Sequence, residues 1–182
     1  QVLETPMLCI MNHQMAVATK ASRVCRATNR PVSEFGSRRA HGPWAATYGA
    51  KAAIIAGCSA TSNILAGVKY DYGSTGTMAH SYVTAFGCSV EGEYKAFDTY
   101  IKTHRGEPLI MLIDTYDTLR CGVRNAMKAF KDNGIDDSYE AGYGVRLDSG
   151  DLAYLSMECR RLLDENGFGG CKIFATNSLD EY

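Results

Sequence analysis

Gly144-Val145-Arg146-Leu147-Asp148-Ser149-Gly150-Asp151-Leu152 brings an arginine, two carboxylates, a serine and a glycine together at the end of an apolar run. Tyr143 to Leu147 reads as a buried strand. Asp148-Ser149-Gly150-Asp151 then reads as a turn that also caps a helix beginning near Leu152. Side chains alternate along a strand, so Arg146 and Asp148 fall on one face at its C-terminal end, where α/β folds place their chemistry. Taken alone, an Arg–Asp pair and a helix cap are enough to account for these residues. The rest of the chain repeats the arrangement, and that repetition decides the fold.

Leu109-Ile110-Met111-Leu112-Ile113 is a continuous apolar run that stops at Asp114-Thr115, and a helical pattern follows from about Thr118 to Lys131. Gly76-Thr77-Met78-Ala79-His80-Ser81 follows the turn Tyr72-Gly73-Ser74, which places Thr77 and His80 where a short strand gives way to a helix. Glu34-Phe35-Gly36-Ser37-Arg38-Arg39 precedes an Ala-rich helix from about Pro43 to Ala56, and Cys171-Lys172-Ile173-Phe174-Ala175 ends on Thr176-Asn177. Each of five short apolar segments ends on polar groups. Strand, polar tip and helix in that rhythm predict a parallel sheet with covering helices, the crossovers being long enough for parallel neighbours. If the sheet curls into a barrel, the tips share one mouth and Arg39, His80, Asp114, Arg146, Asp148 and Asn177 converge there. An open doubly wound sheet lines up the same tips along one edge.

A complete barrel of this kind needs about 250 residues, and the chain has 182. The expectation is therefore a single, incomplete α/β-barrel domain over 1–182, with flanking N- and C-terminal parts absent. Gln1 to Thr28 reads as a helix already under way, with Glu4-Thr5-Pro6 at its start, and Asn177 to Tyr182 reads as a strand tip entering a helix.

The composition is that of an ordinary soluble enzyme, 46% hydrophobic and 21% charged with a net charge of −1. No bulk charge recruits nucleic acid. No apolar stretch approaches the roughly 18 residues of a membrane span, and no signal-peptide pattern opens the chain. Seven cysteines without a Cys-x-x-Cys read as free thiols of a cytoplasmic protein, most of them core packers. Cys9 and His13 lie one helical turn apart, but two ligands without a third make a poor metal site. The segments Cys58 to Asn63 and Tyr72 to Thr77 read as loops whose backbone N–H groups could meet an anion. Neither a P-loop nor a dinucleotide fingerprint occurs.

Six blocks, in order, carry a more specific signal: Glu4-Thr5-Pro6, Glu34-Phe35-Gly36-Ser37-Arg38-Arg39-Ala40, Ser62-Asn63-Ile64-Leu65-Ala66-Gly67, Gly76-Thr77-Met78-Ala79-His80-Ser81, Leu112-Ile113-Asp114-Thr115-Tyr116, and Gly144 to Asp151. This series resembles that of the nicotinate phosphoribosyltransferases. The resemblance implies the type II phosphoribosyltransferase fold, an irregular α/β barrel beside a second domain. It also implies the joining of nicotinate to 5-phosphoribosyl 1-pyrophosphate, with ATP as co-substrate, Mg²⁺, and a homodimer in the full-length form. His80 is by the same resemblance the residue that ATP phosphorylates, and an imidazole nitrogen is a competent nucleophile for that step.

Physical chemistry distributes the remaining roles. Arg146 suits the nicotinate carboxylate, with the Thr77 hydroxyl nearby. Asp148 and Asp114 are candidates to stabilise an oxocarbenium-like state, directly or by holding Mg²⁺ and the ribose hydroxyls. Arg38 and Arg39 suit phosphate, and Asn63, Ser149, Asp151 and Asn177 complete the candidate substrate-binding set. No direct metal ligand is assigned. Two other readings stay open: a nicotinamide phosphoribosyltransferase, and a catalytically silent barrel fragment that only binds ligand or self-associates. The nicotinamide enzymes typically carry Arg-Pro-Asp-Ser-Gly where this chain has Leu147, and an Asp where Asn63 aligns, so both positions favour nicotinate.

Overall fold

The computed structural model describes residues 2–177 and 179–182. The chain divides into two compact units, Gln1–Gly76 with Asp180–Tyr182, and Thr77–Leu179.

In the first unit a long helix α1 (Glu4–Arg26) packs against α2 (Pro43–Ile55). Pro43 opens α2, where its fixed φ suits a helix start and its missing N–H costs nothing. The two helices are also tied by a hydrogen bond between His13 Nε2 and the Ala45 carbonyl, 3.0 Å apart. Two short strands, β1 (Ser33–Glu34) and β2 (Ala60–Thr61), pair in parallel across α2. Their pairing is reinforced by the Thr61 hydroxyl, which donates to Glu34 Oε2 at 2.6 Å. Helix α3 (Ile64–Tyr70) follows directly, and Glu181 at the other end of the chain pairs with Lys20 of α1.

Three expectations for this unit need revision. The first helix is shorter at both ends than 1–28, and Gln1 lies outside the described residues. The stretch from Cys58 to Asn63 contains strand β2 rather than only a loop. The short strand expected before His80 is reduced to one bridge between Thr61 and Ser74. Glycines at 73 and 76 offer no side chains to hold a longer ladder together.

The second unit holds the larger core. Helix α4 (His80–Thr84) leads to α5 (Val90–Thr103), which is capped by Ser89 Oγ accepting from the Gly92 N–H at 3.0 Å. Strand β3 (Leu109–Leu112) leads through a π-helical turn (Thr118–Gly122) into α6 (Val123–Asp132). Strand β4 (Tyr143–Leu147), α7 (Leu152–Glu165) and β5 (Lys172–Ala175) complete it. The sheet order is β3-β4-β5, all parallel. Every residue of β3 is buried. Phe97 and Ile101 of α5, Phe130 of α6 and Leu163 of α7 pack into the same apolar cluster as the strands.

The class is thus α/β with parallel strands joined through helices, as the rhythm of the sequence predicts. The two sheets are separate and neither closes on itself among the described residues. The helix expected beyond Asn177 is absent among Leu179–Tyr182, and Ser178 lies outside the described residues.

Candidate functional site

Register builds the site. Leu112 of β3 is level with Arg146 of β4, and Leu147 of β4 is level with Ala175 of β5. The ladder runs on past the strands, with Ile113 N–H donating to the Arg146 carbonyl at 3.2 Å and Thr176 N–H to the Leu147 carbonyl at 2.8 Å. The residues that follow, Asp114, Asp148 and Thr176, therefore stand along one C-terminal edge.

Arg146 is the hub of that edge. Its Nε donates to Thr176 Oγ1 at 2.9 Å, Nη1 to Thr77 Oγ1 at 2.7 Å, and Nη2 to Asp148 Oδ1 at 2.6 Å. Thr176 Oγ1 also lies 2.5 Å from Asp148 Oδ1. Asn177, in a left-handed conformation at φ 73°, donates from Nδ2 to the Asp148 carbonyl at 3.1 Å. Burial by itself would push the Asp148 carboxyl up. The Thr176 hydrogen bond and the Arg146 guanidinium outweigh burial and hold that carboxyl below the usual carboxylate range.

Asp114 organises the other half of the edge. Its side chain is only 2% exposed. Oδ1 meets His80 Nε2 at 3.0 Å, while Oδ2 accepts from the Asp148 N–H at 3.1 Å and from Ser149 Oγ at 2.5 Å. One buried carboxylate thus connects the imidazole at the start of α4 to the turn after β4. The His80 side chain is 43% exposed, so its ring is accessible. Among the described residues no three His, Cys, Asp or Glu side chains come together as a metal cage.

No protein-family model matches the chain. All of it aligns with the nicotinate phosphoribosyltransferase of Bacillus subtilis at 46% identity over 183 residues, covering 36% of that protein. A nicotinate phosphoribosyltransferase of Mycobacterium tuberculosis is 42% identical over 182 residues, of which 37% of its length is covered. The crystal structure of human nicotinic acid phosphoribosyltransferase superposes with a TM-score of 0.83 at 26% identity, over 99% of this chain and 46% of that one. Along its whole length the chain is similar to nicotinate phosphoribosyltransferases. It spans a little over a third of the length of the curated relatives it matches.

Within the second unit, Thr77, His80, Asp114, Arg146, Asp148, Ser149 and Asn177 form one hydrogen-bonded group. Asp151 serves as the cap of α7, its Oδ1 accepting from the Tyr154 N–H at 3.0 Å. Arg38, Arg39 and Asn63 belong to the first unit. Both arginines are exposed on the 3-10 turn Ser37–Arg39. Asn63 caps α3 through Oδ1, which accepts from the Ala66 N–H at 2.9 Å, and its Nδ2 donates to Ser37 Oγ at 3.1 Å. Both ends of the Asn63 side chain thus have a structural task.

Thr176 is the residue that sequence reasoning passed over. It ends an apolar run just as Asp114 and Asp148 do, and that position was its signal. A threonine attracts less notice than the asparagine beside it, yet its hydroxyl joins the two charged side chains of the edge.

Proposed function

We propose that this chain carries the catalytic edge of a nicotinate phosphoribosyltransferase, which converts nicotinate and 5-phosphoribosyl 1-pyrophosphate into nicotinate mononucleotide and pyrophosphate. In the transfer, the pyridine nitrogen bonds to C1 of the ribose as the bond from C1 to the pyrophosphate oxygen breaks. The observation that carries this reading is the joining of Arg146, Asp148, Asp114 and His80 along one parallel edge, in a chain similar to enzymes of that name. The names of those relatives favour nicotinate over nicotinamide.

Arg146 takes the nicotinate carboxylate on a guanidinium already oriented by Thr77 and Thr176. Asp148, held ionised, faces the positive charge that develops on the ribose. ATP coupling rests on His80. With the proton assigned to Nε2, where the Asp114 carboxylate accepts it, the lone pair lies on Nδ1. Nδ1 attacks the γ-phosphorus of ATP, ADP leaves, and Asp114 balances the charge that the ring acquires. Among the described residues no three His, Cys, Asp or Glu side chains gather around one point, and Mg²⁺ would enter with the phosphate substrates as their counter-ion. Exposed Arg38 and Arg39 suit the phosphates, and Ser149 and Asn177 hold the turn around Asp148. The full-length enzyme is proposed to be a cytoplasmic homodimer in which the β3-β4-β5 sheet forms part of an irregular α/β barrel.

The test is specificity. In the full-length enzyme Arg146→Ala removes the carboxylate partner, so kcat/KM for nicotinate falls by the equivalent of about 1.5 to 3 kcal/mol, the worth of a hydrogen bond to a charged group. Nicotinamide loses far less. Equal losses for both substrates would reject Arg146 as the residue that reads the carboxylate.

A further inference from the structure

We infer that Thr176 is a positioning residue that locks the arginine and the carboxylate of the edge into one unit, a role that rests on the proposed reaction. The chemistry of its partners fixes how the hydroxyl is wired. Arg146 Nε–H, 2.9 Å away, can only donate. An ionised Asp148 can only accept, and its Oδ1 is 2.5 Å away. The hydroxyl therefore accepts from Arg146 and donates its single proton to Asp148. The Leu147 carbonyl, 3.1 Å from Oγ1, is the competing acceptor, and the shorter contact to a charged oxygen prevails.

Three features make this a built arrangement. Thr176 N–H donates to the Leu147 carbonyl at 2.8 Å, so its backbone is anchored in the ladder. Branching at Cβ restricts its χ1, which keeps the hydroxyl aimed. Arg146 and Asp148 contact each other directly at 2.6 Å, so Thr176 closes a triangle. Thr77 and Asp148 engage the two Nη atoms of Arg146, and Thr176 adds the contact at Nε that fixes the guanidinium against the carboxylate. Transfer depends on the nicotinate nitrogen and the ribose carbon meeting in line. A small rotation of Arg146 relative to Asp148 misplaces one against the other.

The substitutions that separate this role from simple packing are Thr176→Val and Thr176→Ser in the full-length enzyme. Valine keeps the shape and deletes the hydroxyl, leaving Arg146 Nε–H and one Asp148 lone pair without this partner. It is expected to lower kcat about ten- to hundredfold, with a smaller rise in KM for nicotinate. Serine restores most of kcat. In an Asp148→Asn background the valine substitution has a much smaller effect, because the charge it positions is already gone. A valine variant with normal kcat, or one whose loss serine fails to rescue, overturns the proposal.

A substrate-free measurement keeps this result separate from the function itself. In full-length protein with ¹⁵N-labelled arginine, the Arg146 Nε–H resonance exchanges slowly with solvent in the wild type and in Thr176→Ser, and quickly in Thr176→Val. Absence of nicotinate mononucleotide formation by the wild type would refute the proposed reaction while leaving this exchange difference intact. Equal exchange in all three proteins would refute the wiring, whatever the reaction.

Discussion

Two side chains of the edge can be separated by what their removal does. His80 opens α4 with an accessible ring, and its main partner is a single oxygen of Asp114. His80→Ala should abolish an acid-labile, base-stable phosphoryl label acquired from γ-labelled ATP, with little loss of fold because few packing contacts go with it. Label persisting in that variant would move the phosphorylation elsewhere. Asp148 is different, since its carboxyl is held low by its neighbours in the folded state. A carboxylate depressed on folding contributes stability above its unfolded value, and that contribution is lost as pH falls through the lower folded value. Asp148→Asn should therefore flatten the acid side of the stability curve, as read by denaturant unfolding from neutral pH downward. If the charge acts on the transition state, the same variant lowers kcat by orders of magnitude with KM for nicotinate little changed. A normal kcat in a destabilised Asp148→Asn protein would reduce Asp148 to a brace for the turn.

Among the elements, the π-helical turn is the most constrained. A Cβ placed on Gly122 would lie 1.8 Å from the Ile113 carbonyl oxygen, a backbone atom that cannot step aside without disturbing the end of β3. Gly122→Ala should cost more than about 2 kcal/mol, the overpacking penalty of a tight core, and Tm measurements should show it as one of the largest losses from any single methyl. Strands β3 and β4 were legible because apolar runs ending on Asp114 and Asp148 announce buried parallel strands and the edge they share. Helices α2, α6 and α7 followed from Pro43, the periodicity after Thr118 and the Asp151 cap. Strand β2 was not legible, because two residues make no periodic signal and the flanking Cys58, Ser59 and Ser62 read as a loop. Helix α5 escaped for another reason: its Ser89 cap sits beside glycines that suggest a turn. Within the site, the charged residues declared themselves and Thr176 did not, since its role exists only after β4 and β5 pair.

For the molecule as a whole, the uneven exposure of apolar side chains matters most. Helix α1 buries none of its residues fully, and Met7, Leu8, Ile10, Met11 and Met15 are all more than half exposed. Met7, Met11 and Met15 recur every four residues and so form a stripe on one face. Exposed apolar stripes of this kind drive association. The 182-residue chain by itself is expected to elute above monomer size in a concentration-dependent manner, and Met7→Lys with Met11→Lys should return it to the monomer. A wild-type chain that light scattering finds monomeric at high concentration would remove that expectation.

The level register of β3, β4 and β5 also says where the chain can change length over evolutionary time. A residue deleted between Tyr143 and Asp148 reverses the faces of everything beyond it and moves Arg146 and Asp148 away from Thr176 and Asp114 at a single stroke. The exposed turn at Asn166 and Gly167 lies between α7 and β5, with open space around Gly167. Extra residues there lengthen a loop at small entropic cost and leave the edge level. Insertions should thus accumulate at the turns that precede the strands, while the five residues of β4 keep an invariant count.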